Sequence, residues 1–156
     1  MRITSSVADL PVDAIRRALE GLPEADGYEL LVKPLRYREK PHLAALTEFD
    51  ERRITIQIPE PFFPFGEVIP YAAKRRQGTG KMRFIWLTDG VTFRTRREVL
   101  RFLYCHEWMH CHGHLDRRRI GETTCDRFAL RNFRKPVVTL EDAEEAIRNR
   151  GESGLR

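Results

Sequence analysis

The order of hydrophobic periodicities along the chain predicts an α+β fold in one domain: a helical segment first, then a group of strands, then three helices. Two further observations support this. A length of 156 residues suits one domain with a core of useful size. The longest helical segment is apolar almost all round, which places it at the centre of the fold rather than on its surface.

The first helix is expected over Pro11 to Gly21, where Val12, Ile15, Ala18 and Leu19 recur at helical spacing; Pro11 suits the first turn and Gly21 the stop. Tyr28 to Tyr37 reads as a strand weakened by Pro34. His42 to Glu48 and Arg53 to Ile58 flank the polar turn Phe49-Asp50-Glu51-Arg52 and predict a hairpin, its second arm alternating with period two. From Pro59 to Lys81 the prolines at 59, 61, 64 and 70, interleaved with Phe62, Phe63 and Phe65, predict a loop with apolar anchors that ends in a basic, Gly-containing turn. Met82 to Thr88 is a strong strand closed by an Asp89-Gly90 turn. The sheet so assembled is small and mostly antiparallel.

The central helix spans Arg96 to Cys111, with Gly113 as its expected stop. A second runs from Gly121 to Phe133, before Lys135-Pro136. A third covers Leu140 to Asn149, with Thr139 as cap and Asp142 three residues on, close to a capping box.

No apolar run approaches the roughly 20 residues of a membrane span, so no membrane association is expected. The N-terminal stretch MRITSSVADLP lacks a continuous apolar segment, and a cytoplasmic location follows as the expectation. The three cysteines, Cys105, Cys111 and Cys125, form no CxxC pair and read as reduced, buried thiols. The net charge is +5, with basic clusters at Lys74-Arg75-Arg76, Arg94/Arg96/Arg97 and Arg117-Arg118-Arg119. That balance reads as a solvated surface, with nucleic-acid association through the basic patches as its alternative.

The chemistry concentrates in His106-Glu107-Trp108-Met109-His110. Histidines four apart on a helix lie one turn apart on one face, where their imidazoles can share one tetrahedral zinc. Glu107 is rotated about 100° from His106. It is badly placed as a ligand but well placed to take a proton from a zinc-bound water. A catalytic zinc needs a third protein ligand. The candidates are Glu122, Asp116 and His114; His112 faces away. Glu122 and Asp126 share one face of the following helix, beside Cys125. Packed antiparallel to the central helix, that face would set Glu122 level with His110 and Asp126 level with His106. Glu122 would then be the third ligand, and Asp126 would accept a hydrogen bond from a ligand histidine.

The segment HEWMHCHGHLD also fits HExxHxxGxxD and resembles the Asp form of the metzincin arrangement, in which Asp116 would close the site; no Met follows Met109 to supply that family's Met-containing turn. The pairing of His106-Glu107-x-x-His110 with Glu122-x-x-Cys125-Asp126-x-Phe128-Ala129 resembles the gluzincin branch of the zincin metallopeptidases. It is similar in particular to short intracellular zinc peptidases associated with phage and mobile elements. The resemblance runs from His106 to Ala129, with only 11 residues between His110 and Glu122, shorter than is usual there, so Asp116 and His114 stay open as third ligands.

The resemblance implies a zincin-like domain over the whole chain with its catalytic core at about 82–134, zinc as cofactor, and a protein or peptide substrate. It also implies that the strand before the motif helix, Met82 to Thr88, binds extended peptide along its edge. The expected activity is zinc-dependent hydrolysis, with Glu107 as general base and an oxyanion stabiliser drawn from His112, His114 or Tyr104. The alternatives are a nucleic-acid-binding module stabilised by a structural zinc, or a peptidase acting on DNA-associated proteins.

Overall fold

The computed structural model describes residues 1–78 and 81–149. The chain is α+β. In order it forms β1 (Ile3–Ser5), α1 (Val12–Ala18), β2 (Glu29–Leu35), β3 (Ala44–Glu48), β4 (Arg53–Pro59), β5 (Phe65–Gly78), β6 (Lys81–Phe93), α2 (Arg96–Leu115), α3 (Glu122–Asn132) and α4 (Leu140–Arg148). No described helix is long and apolar enough to cross a membrane.

The main sheet is mixed rather than mostly antiparallel, in the order β1-β2-β4-β3. The cause is the crossover through α1, which returns the chain to run β2 parallel to β1. The β3–β4 hairpin then docks through β4, parallel to β2, and leaves β3 on the edge. β1 reaches only Val32 of β2. Pro34 therefore lies where β2 has a single neighbour, and its missing N–H costs the ladder nothing.

The segment expected as a loop is largely strand. Pro59 ends β4, Pro61 and Pro64 occupy the short connection that follows, and Phe65 opens β5. Pro70 is accommodated because the β5–β6 ladder shifts register between Pro70 and Ala72. Asp89 and Gly90 do not turn either; they pair with Ile69 and Val68 within β6. Continuing the ladder carries Val91 and Phe93 into the core, where Phe93 is packed among Phe65, Phe102 and Phe133 at ring separations of 5.3 to 5.8 Å. The Gly-containing turn expected after Arg76 falls at residues 79–80, outside the described residues.

α2 is the central element, flanked by β3 and β4 on one side and by α3 on another. Thr95 caps it by accepting from the Glu98 N–H. Arg101, 3% exposed, directs its guanidinium at four main-chain carbonyls: Ala18 and Glu20 at the end of α1, Phe133 and Lys135 at the end of α3. The C-terminal ends of two helices are thereby held by one cation.

Gly113 does not stop α2, which continues through His114 to Leu115. The stop is Arg117, in the left-handed region at φ 55°. The Arg118 N–H returns to the Gly113 carbonyl at 2.7 Å and the Arg117 N–H to that of His114 at 3.1 Å, a Schellman closure. Gly113 serves packing instead: a Cβ there would lie 2.7 Å from the Ile120 side chain and 3.0 Å from the Arg118 carbonyl. At α4 the Thr139–Asp142 capping box forms as expected.

Gly113→Ala tests this close approach. Alanine favours an exposed helix interior by up to about 1 kcal/mol, but here overpacking dominates and unfolding stability should fall by about 1–3 kcal/mol. Urea denaturation reads the loss, which should shrink when the change is made in an Ile120→Ala background.

Candidate metal centre

α2 presents His106 and His110 one turn apart, their rings 5.1 Å from centroid to centroid. α3 faces them. One oxygen of Glu122 lies 2.9 Å from His106 Nε2, and the other lies 3.0 Å from His110 Nε2. Asp126, one turn further along α3, sets Oδ1 2.8 Å from His106 Nδ1. The exposed Glu122 carboxylate thus bridges the two imidazoles, one oxygen to each, and the second nitrogen of His106 is engaged by a separate carboxylate. The contacts are hydrogen-bond lengths, and they place donor atoms of the kinds zinc takes, at bonds of about 2.0–2.1 Å, side by side. The donor set suits zinc: two borderline nitrogens, one oxygen, and an Asp126 contact that would fix His106 with its proton on Nδ1 and its lone pair on Nε2.

Cys125 lies between the two acids on α3, fully buried, and its sulfur is within 4.8 Å of the nearest His106 and His110 nitrogens. Burial, reinforced by the charges of Glu122, Glu107 and Asp126, pushes its thiol far above the usual range. Cys105 and Cys111 are also buried and pushed up to about 12, chiefly by burial.

Glu107 points between α2 and the sheet, 6% exposed. The Thr47 hydroxyl of β3 donates to its Oε2 at 2.5 Å. Glu107, both histidines, Glu122 and Asp126 all line one cavity of about 360 Å³, with Leu43, Ala45, Leu46, Thr47 and Phe49 forming the β3 wall. Sequence reasoning missed Thr47 and this wall. Thr47 is 60 residues from Glu107, and a threonine in a strand carries no signal of its own. The edge strand beside the site is consequently β3; Met82 to Thr88, expected in that position, pairs with β5, and the described cavity lining includes none of it.

The other expected ligands lie elsewhere. Asp116 caps the end of α2 and pairs with Arg118 at 2.9 Å. His114 is exposed, its ring stacked on Phe49 at 4.3 Å. His112 stacks on Trp108 on another side of α2 and lies 3.3 Å from Glu144. His112, Asp116 and Glu144 also bring ligand-type atoms together, but the Arg118 guanidinium sits among them, 2.6 Å from Glu144, and neutralises the carboxylates. Arg118 and His112 hold the Glu144 carboxyl down at about 2. Tyr104 donates to the Pro23 carbonyl and accepts from the Ala25 N–H, away from the cavity.

Burial opposes a positive charge on His106, but the Asp126 hydrogen bond and the charges of Glu107, Asp126 and Glu122 outweigh it, so the pKa is raised above 6.5. In the metal-free protein the folded state therefore holds this proton more tightly than the unfolded chain. The resulting stability is fully present below about pH 6.5 and is lost as pH rises through the folded value. Asp126→Asn should remove much of it. The gap in urea midpoint between metal-free wild type and variant should be widest in acid and narrow with rising pH; a gap that widens would contradict the assigned partner.

No protein-family model matches the chain, and no match is found among curated proteins or solved structures.

Proposed function

We propose that the chain is a zinc-dependent metallohydrolase that cleaves peptide bonds, with His106, His110 and Glu122 as metal ligands, Asp126 as the partner of His106, and Glu107 as general base. One observation carries this reading: a buried carboxylate, Glu107, held by Thr47, shares a cavity with a His–His–Glu donor set on the neighbouring faces of two helices. Zinc bound by those donors would supply a Lewis acid that polarises a carbonyl and acidifies a water.

The chain's own groups do the rest. Thr47 holds Glu107 Oε2, leaving Oε1 to take a proton from the attacking water and pass it to the leaving amine. Asp126 keeps His106 oriented and its tautomer fixed. The free edge of β3 offers main-chain donors and acceptors to an extended peptide, which is why a peptide suits this cavity.

A structural metal centre is the second reading, and Cys125 is the observation that favours it: a thiolate added to two histidines and Glu122 would close the coordination sphere. It leaves the Thr47–Glu107 pair without a task. A nucleic-acid-binding module draws less support. Its basic clusters sit on separate elements, with Arg96 bonded to the carbonyls of Ala8 and Asp9 and Arg118 to Glu144 and Asp116.

Glu107→Gln should retain one zinc per chain and the wild-type unfolding curve while lowering peptide hydrolysis by about 10²–10⁴-fold; unchanged turnover would end the catalytic assignment. Zinc titration against a chelating dye should show Glu122→Ala weakening affinity at least tenfold more than Asp116→Ala, and the reverse order would move the third ligand to the metzincin position.

A further inference from the structure

A second cavity, of about 470 Å³, adjoins the first and shares Phe49 and His110 with it. Its floor is apolar, from Phe49 and Ile120; its rim carries Arg117, Arg118 and Arg119. The three arginines are not equivalent. Arg118 is consumed by Glu144 and Asp116, at 2.6 and 2.9 Å. Arg117 and Arg119 make no ion pair among the described residues and leave uncompensated positive charge at the mouth. The Schellman closure of α2 fixes this arrangement by holding Arg117 in its left-handed conformation just beyond the helix end. His114, stacked on Phe49, forms the remaining side wall.

A peptide lying along β3 past Glu107 and His110 reaches this second cavity next, because Phe49 follows directly on the strand's last residue, Glu48. An apolar floor beneath a cationic rim matches a side chain with a short methylene stem and a terminal carboxylate. Aspartate and glutamate have that form. Lysine would meet like charge, and a large aliphatic side chain would leave both guanidinium groups unanswered.

We propose that the cavity formed by Phe49, His114 and Ile120 beneath Arg117 and Arg119 is a specificity subsite for an acidic side chain of the peptide substrate, one or a few residues from the bond that is cut. The subsite rests on the peptidase reading for its place beside a scissile bond, but its preference for acidic peptides can be measured as binding alone.

The test uses zinc-loaded protein and dye-labelled alanine–leucine octapeptides capped at both ends, with one glutamate, glutamine or lysine stepped through every position. Anisotropy reads binding, and chromatography of the same mixtures reads cleavage. At one or two positions glutamate should bind about tenfold more tightly than glutamine, the scale set by two partly exposed charge pairs. The double variant Arg117→Asn, Arg119→Glu should erase that preference and favour lysine. Asparagine is chosen because it tolerates the left-handed backbone, and zinc content and circular dichroism check that the variant is intact. Equal binding of glutamate and glutamine by the wild type, or a preference that persists in the double variant, would overturn the subsite. Acid-selective binding without cleavage would uphold the subsite and sink the peptidase reading; cleavage without acid preference would do the opposite.

Discussion

The structure depends on the burial of α2. Twelve of the twenty residues of the helix are buried against sheet, ribbon and helices, so the polar side chains that fall on its inward faces must find partners inside the protein. A buried polar group without a partner costs about 1–3 kcal/mol, and His106, Glu107 and His110 stand within one turn of each other. α3 answers the two histidines and β3 answers the glutamate. Glu122 and Asp126 recur on α3 with the same spacing as His106 and His110 on α2, so the polar contacts fix the register of the two helices, while Phe128, Ala129 and Cys125 fill the apolar space around them.

Two groups of similar residues on α2 behave differently for a simple reason. At His112 an arginine already occupies the place between the carboxylates, and the cluster ties α4 and the loop after α2 to the central helix. At His106 and His110 no cationic side chain intervenes among the described residues, and the carboxylates meet imidazoles directly. The difference between a lock and a candidate metal centre is thus one guanidinium.

Local periodicity made much of this legible in advance. The β3–β4 hairpin, the apolar character of α2, the shared face of Glu122 and Asp126 and the Thr139–Asp142 cap all follow from spacings of two, three or four residues. What the spacing could not show was set by distant partners. Thr47 meets Glu107 only because β3 ends the sheet beside α2. The prolines of 59–70 suggested a loop, yet a long antiparallel ladder absorbs Pro70 at a register shift and carries straight through Asp89-Gly90. Gly113 suggested a helix end, whereas its want of a side chain makes room for Ile120. In each case tertiary packing overrode a local signal.

Arg101 shows how such a framework can be insensitive to its own text. Its four partners are all main-chain oxygens, at Ala18, Glu20, Phe133 and Lys135. Every residue type carries that oxygen, so as far as this clasp is concerned the side chains at those positions can drift without loosening it. The clasp reads chain length instead. One residue inserted or deleted between α1 and Leu22, or between α3 and Pro136, would swing the carbonyls out of reach, so this clasp constrains the length of the two connections, while their composition is constrained separately by the left-handed Gly21 against Pro136 and by the packing of Phe133.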